Sequence, residues 1–125
     1  MNVSNETLEL LLSRRSVRAA DLCEPGPDEA TLERILRAGI RVPDHGKLGP
    51  WRILRFAGDA RARFGEMLAE AFRAANPGAG EERVALEAAR FLRAPVVLGV
   101  ISRVTPGHKI PEWEQVLSAG AVCQN

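Results

Sequence analysis

The sequence predicts an α+β domain in which helices outnumber strands, and three observations carry that expectation. Several segments repeat apolar residues at i, i+3 and i+4, the spacing of a helix with one buried face. Two short runs, 51–56 and 96–101, are rich in β-branched, aromatic and other apolar residues and follow a proline, as strands often do. No internal repeat or low-complexity tract interrupts the chain, so 1–125 reads as a single domain, long enough to bury roughly two thirds of its unfolded surface.

Taken in order, the first helix starts at Ser4 or Asn5, both good N-caps, and buries Leu8, Leu11 and Leu12. Asp21 to Pro27 is a loop punctuated by Pro25-Gly26-Pro27. Asp28 caps a second helix with Leu32, Ile35, Leu36, Gly39 and Ile40 on one stripe, ended by Pro43. Trp51 to Phe56 is a strand, with Trp51 in the core. A third helix buries Phe64, Met67, Leu68, Ala71 and Phe72 and stops at Asn76-Pro77-Gly78, and Glu81 to Leu92 is a fourth. Pro95 opens Val96 to Ile101, whose unbroken apolar character predicts a strand buried on both faces.

The last helix has Pro111 at its first position, Glu112 and Glu114 at its positive end, and Val116, Leu117, Ala121 and Val122 as its apolar positions. Its pattern is still running at Gln124-Asn125. Two strands make a poor core for a mixed domain. A further portion of the fold is therefore expected beyond these residues.

Charge and cysteine exclude several classes. Seventeen Lys and Arg face sixteen Asp and Glu, a formal net charge of +1, so no overall field draws the molecule onto nucleic acid or anionic lipid. Most of the arginines read as solvated helix faces. Cys23 and Cys123 lie far apart with no CxxC or His/Cys cluster, so neither a disulfide framework nor a zinc site follows, and both read as small buried apolar residues. The chain opens without a basic flank and apolar core, and no apolar run approaches a membrane span; a cytoplasmic location is the expectation. No GxGxxG follows a strand, and neither a nucleophile elbow nor an HExxH occurs.

Three motifs remain. Arg14-Arg15-Ser16-Val17-Arg18 places three guanidiniums and a hydroxyl where the first helix ends, a donor set matched to phosphate oxygens. Taken alone, the run would equally complement a helix macrodipole without any ligand. The second motif, Arg41 to Trp51 (RVPDHGKLGPW), links the second helix to the first strand. Within it Asp44 and Lys47 offer a local ion pair, and His45 a donor to a loop carbonyl. The third, His108 to Gln115 (HKIPEWEQ), leads into the last helix; His108 and Lys109 precede the helix start, while Trp113 and Glu114 read as packing and dipole complement.

In this order and spacing, the three motifs resemble the flavin-dependent nitroreductase family, most closely its short, minimal NAD(P)H branch, over nearly the whole chain from Glu6 onward. The resemblance implies a nitroreductase-like α+β fold with a small, mainly antiparallel sheet flanked by helices, of which about the C-terminal third is expected beyond these residues. It also implies an FMN-dependent oxidoreductase that passes a hydride from NAD(P)H through the flavin to acceptors such as nitroaromatics or quinones. Arg14 and Ser16 match residues that hold the flavin phosphate, with Arg15 between them. Arg18 matches a basic residue against the pyrimidine edge, where a fixed cation stabilises the charge of the reduced ring. Arg41 and His45 match positions that reach the flavin from the other subunit, so the resemblance implies a homodimer with FMN at the subunit interface. Gly49 stands where many members have glutamine, which removes one side-chain contact. The alternatives are a flavin-binding or interaction protein without turnover and, third, an arginine-rich nucleic-acid binder.

Overall fold

Residues 5–125 are described in a computed structural model of the chain. Asn5 caps the first helix, α1 (Glu6–Ser13), its side chain accepting from the Leu8 N–H; Ser4, the other candidate cap, lies outside the described residues. A single 3-10 turn at Ala19–Asp21 leads toward α2 (Glu29–Gly39), which Asp28 caps by accepting from the Thr31 N–H at 2.7 Å. Strand β1 (Trp51–Ala57) is followed by α3 (Asp59–Ala75) and α4 (Glu81–Ala88). The predicted fourth helix is shorter than Glu81 to Leu92, because its last turn tightens into a 3-10 segment, Arg90–Arg93. Strand β2 (Val96–Ser102) and α5 (Glu112–Gln124) complete the order.

β1 and β2 form a two-stranded antiparallel sheet in which Ile53 faces Val100 and Phe56 faces Val97. Strand alternation sends Ile53, Leu98 and Val100 toward α2 and α5, where they border an apolar cavity with Leu36 and Val122. The opposite face carries Phe56, which meets Phe64 of α3 and Phe91 with ring centroids 4.6 and 4.9 Å apart. Tilted and edge-on aromatic contacts of this kind contribute about 0.5–1.5 kcal/mol each beyond their burial. The α+β class is as the sequence predicts, and the antiparallel sheet is as the family resemblance implies.

Burial departs from the pattern in several places, each with a physical reason. Leu8, Leu11 and Leu12 are exposed: among the described residues, nothing packs closely enough on α1 to bury any of its side chains. On α3 the buried residues are Gly65 and Ala69, while Met67 and Ala71 are exposed. A Cβ on Gly65 would stand 2.0 Å from the Ala88 carbonyl oxygen, so close approach of α4, not side-chain size, selects the face. β2 is half-buried rather than buried on both faces, since only one strand pairs with it and Ile101 is 44% exposed. Trp51 is likewise half-buried, at the first position of the two-stranded sheet. Cys23 and Cys123 are both exposed, one in a loop and one in the last turn of α5. Arg61 is no solvated arginine: its guanidinium donates to the Ala94 carbonyl at 2.6 Å, just before β2.

On α5 the buried residues are Gln115, Ser118, Ala119 and Val122, spaced i, i+3, i+4 and i+7. Of the apolar positions read from the sequence, Val116 and Leu117 point outward, whereas Val122 is 6% exposed. Small and polar side chains let α5 sit close to the loops beside it, and the larger apolar ones are left facing away. Pro111 is the N-cap rather than the first helical residue, with Glu112 and Glu114 in the first turn as predicted. Among the described residues, no helix is long and apolar enough to cross a membrane.

Candidate functional site

The second motif folds as a tight loop fixed from two sides. The Asp44 carboxylate accepts from the N–H groups of Leu48 and Gly49 at 3.2 and 2.8 Å, so it shapes the loop and does not pair with Lys47. Gly46, Lys47 and Gly49 all have positive φ, of 74°, 53° and 57°; glycine meets two of these turns without strain. From the other side, the Ser118 hydroxyl of α5 donates to the Pro43 carbonyl at 2.8 Å. The Asn125 amide donates to the carbonyls of Ala38 and Arg41, each at 3.2 Å.

This stitching brings His45 to the first turn of α5. Its Nδ1 lies 2.7 Å from Oε2 of Glu114, a contact between residues 69 apart in sequence. The partner is thus a carboxylate and not a loop carbonyl. The side chains are 63% and 27% exposed, so as a lone ion pair the contact is worth under about 1 kcal/mol; what it sets is direction. His45 and Glu114 line a groove of about 350 Å³ with Pro43, Trp113, Leu117, Ser118 and Ala121. The second and third motifs therefore meet in one place.

The third motif is anchored by Gln115, 1% exposed. Its Oε1 accepts from the Thr105 N–H at 2.7 Å, and its Nε2 donates to the Ile110 carbonyl at 3.0 Å and the Thr105 carbonyl at 3.3 Å. His108 is used locally: its Nδ1 accepts from the Ile110 N–H at 3.0 Å.

The first motif lies almost wholly beyond α1. Arg14 is the C-cap residue, its N–H donating to the Leu10 carbonyl, and no basic residue occupies the last turn, so the macrodipole leaves Arg15 and Arg18 unexplained. The Arg15 guanidinium donates to the Arg14 carbonyl at 3.0 Å. Arg18 forks onto Asp21 at 2.7 and 2.9 Å. Among the described residues, the guanidiniums of Arg14 and Arg41 and the hydroxyl of Ser16 make no hydrogen bond. None of the hydrogen bonds or ion pairs joins Arg14, Arg15, Ser16 or Arg18 to Arg41 or His45.

Glu114, Gln115 and Ser118 were not among the residues singled out as a site. The readable signal was the i, i+4 spacing of Glu114 and Ser118 beside a His-Gly loop. Hydrophobic periodicity hid it, because Val116 and Leu117 dominate the apolar pattern of α5.

Comparison with known proteins shows the family and the fold. Residues 11–125 match the Nitroreductase family. The chain is 41% identical over 117 residues to the protein named "Putative NAD(P)H nitroreductase YdjA" in Escherichia coli strain K12, a match covering 92% of this chain and 61% of that protein. A Haemophilus influenzae protein, "Putative NAD(P)H nitroreductase", is 36% identical over 116 residues with the same coverage. The chain thus spans about three fifths of the length of these curated relatives. The crystal structure of a nitroreductase-like family protein from Bacillus cereus superimposes with a TM-score of 0.74 at 21% identity, over 99% of this chain and 63% of that one, which shows the shared fold. With the motifs, the fold and the family match in agreement, this chain belongs to the nitroreductase family.

Proposed function

We propose that this chain provides the flavin-holding part of a cytoplasmic, FMN-dependent oxidoreductase that takes electrons from NAD(P)H and delivers them to an acceptor such as a nitroaromatic or a quinone. The observation that carries this reading is a pair of polar groups: Arg14 and Ser16, whose side-chain donors have no partner among the described residues, and a histidine held by Glu114 in a groove. The donor set fits the cofactor. Guanidinium and hydroxyl hydrogens donate to phosphate oxygens, and among the described residues no carboxylate competes for Arg14 or Arg15. Bound FMN supplies the hydride acceptance and release that no side chain here can perform. Arg14, Arg15 and Ser16 would hold its phosphate, Arg18 would lie at the ring's polar edge, and Arg41 and His45 would contribute from a second chain.

Exposed apolar surface supports the two-chain arrangement. Leu8, Leu10, Leu11 and Leu12 are 50–66% exposed on α1, and Trp113 and Leu117 are 64% and 63% exposed on α5. Apolar surface of this kind is what a partner chain would cover. A second reading, a flavin binder without turnover, draws on Asp21, which occupies the fork of Arg18 and offsets its charge.

Flavin titration tests the phosphate end. Arg14→Ala and Ser16→Ala should each lose about 1.5–3 kcal/mol of FMN binding, roughly ten- to hundredfold in Kd. Parent-like affinity in both variants would remove the phosphate-site reading.

A further inference from the structure

The contact between His45 and Glu114 carries more than membership of a groove. A carboxylate oxygen only accepts, so the hydrogen shared between Nδ1 and Oε2 at 2.7 Å belongs to the imidazole. We infer that Glu114 is a positioning residue: it holds His45 with the hydrogen on Nδ1 and so leaves Nε2 as the nitrogen presented to whatever the histidine meets. Which ring nitrogen carries the hydrogen is set by the partner of the other. Here that partner is fixed before the histidine is. Glu114 stands in the first turn of α5, where a negative side chain is favoured by the helix macrodipole. Its neighbour Gln115 is locked by three hydrogen bonds. One turn on, Ser118 grips the Pro43 carbonyl, two residues before His45.

His45 has no comparable anchor of its own. Its side chain is 63% exposed, and the residues that follow it turn through positive φ at Gly46 and Lys47. Without Glu114 the ring is free to rotate and to take the Nε2–H form that a solvated neutral imidazole prefers. With it, Nε2 offers a lone pair in the neutral ring and an N–H in the charged one. The identity of the group that Nε2 meets rests on the flavin reading above; the state of the ring does not.

Long-range ¹H–¹⁵N correlation spectra of the full chain, taken to alkaline pH until the imidazole signals stop moving, report the tautomer directly. The parent and Glu114→Gln, whose amide oxygen still accepts, should show His45 mainly as Nδ1–H, and Glu114→Ala should shift it mainly to Nε2–H. A merely structural glutamate would leave the tautomer unmoved. An alanine variant with the parent's tautomer overturns the inference, and so does an Nε2–H majority in the parent, which decides the matter even if the alanine chain does not fold. FMN titration of the same three proteins separates this inference from the functional reading. Affinity falling roughly fivefold in the alanine variant and restored in the glutamine one supports both. A tautomer switch with unchanged FMN affinity supports the positioning role and overturns the contact of His45 with flavin.

Discussion

Replacing Gln115 with leucine removes three hydrogen bonds from the start of α5 while nearly conserving volume, so its cost reports the polar contacts and not a cavity. The magnitude follows from where the orphaned groups lie. The Ile110 carbonyl belongs to a residue only 5% exposed and is left without its partner, a loss of about 1–3 kcal/mol. The Thr105 N–H and carbonyl sit on an exposed residue and regain water, so each costs about 0.5–1.5 kcal/mol. Burial of the leucine side chain offsets part of this, and the net destabilisation should be about 2–4 kcal/mol. Urea unfolding is the assay: at a slope of about 2 kcal/mol per molar, the midpoint should fall by roughly 1–2 M. Amide exchange supplies the local readout, because Thr105 should lose its protection. A midpoint within about 0.2 M of the parent, with Thr105 exchange unchanged, would refute the claim that Gln115 ties the third motif to α5.

Three further expectations concern the charged groups. Arg18→Ala should cost modest FMN affinity but lower the flavin midpoint potential, and Asp21→Asn, which frees the same guanidinium, should raise it; redox titration that finds both potentials unchanged removes Arg18 from the ring edge. The Thr31 backbone N–H holds the Asp28 carboxyl below its ordinary range, and the Arg55 guanidinium does the same for Glu29, so both stabilise α2 fully above the ordinary carboxylate range and lose that contribution as pH falls through their lowered values. In thermal melts taken into acid, Asp28→Asn with Glu29→Gln should therefore show a shallower fall in Tm below about pH 4 than the parent. Mixing an Arg14→Ala chain with a His45→Ala chain should regenerate one intact site per heterodimer and recover part of the activity; no recovery from mixed dimers would place both groups on one chain's site.

Much of the fold was readable because local signals agreed with it. Asp28 and Asn5 cap as their chemistry dictates, and Asn76-Pro77-Gly78 ends α3. The strands were readable from β-branching, and Ile53 and Val100 pair as neighbours on one face. What periodicity missed was which stripe of a helix faces inward. On α3 that choice was made by Gly65 against a carbonyl, and on α5 by Gln115 and Ser118 against loops; both depend on partners far away in sequence. Leu8, Leu11 and Leu12 show the same limit differently: the amphipathic pattern is real, but nothing among the described residues buries it. The site divides along similar lines. Arg14 to Arg18 and Arg41 to His45 stood out because guanidiniums and a histidine cluster beside turns. Glu114 did not, because its role exists only once the second motif folds against α5.

The most direct test of the account is anaerobic titration of the flavin-loaded protein with NADPH and, separately, NADH. The protein should be yellow as isolated or after FMN is added. One of the two donors should bleach the flavin absorbance, and a nitroaromatic or quinone should restore it. A protein that binds no FMN, or whose bound FMN neither donor bleaches, would contradict the proposed oxidoreductase.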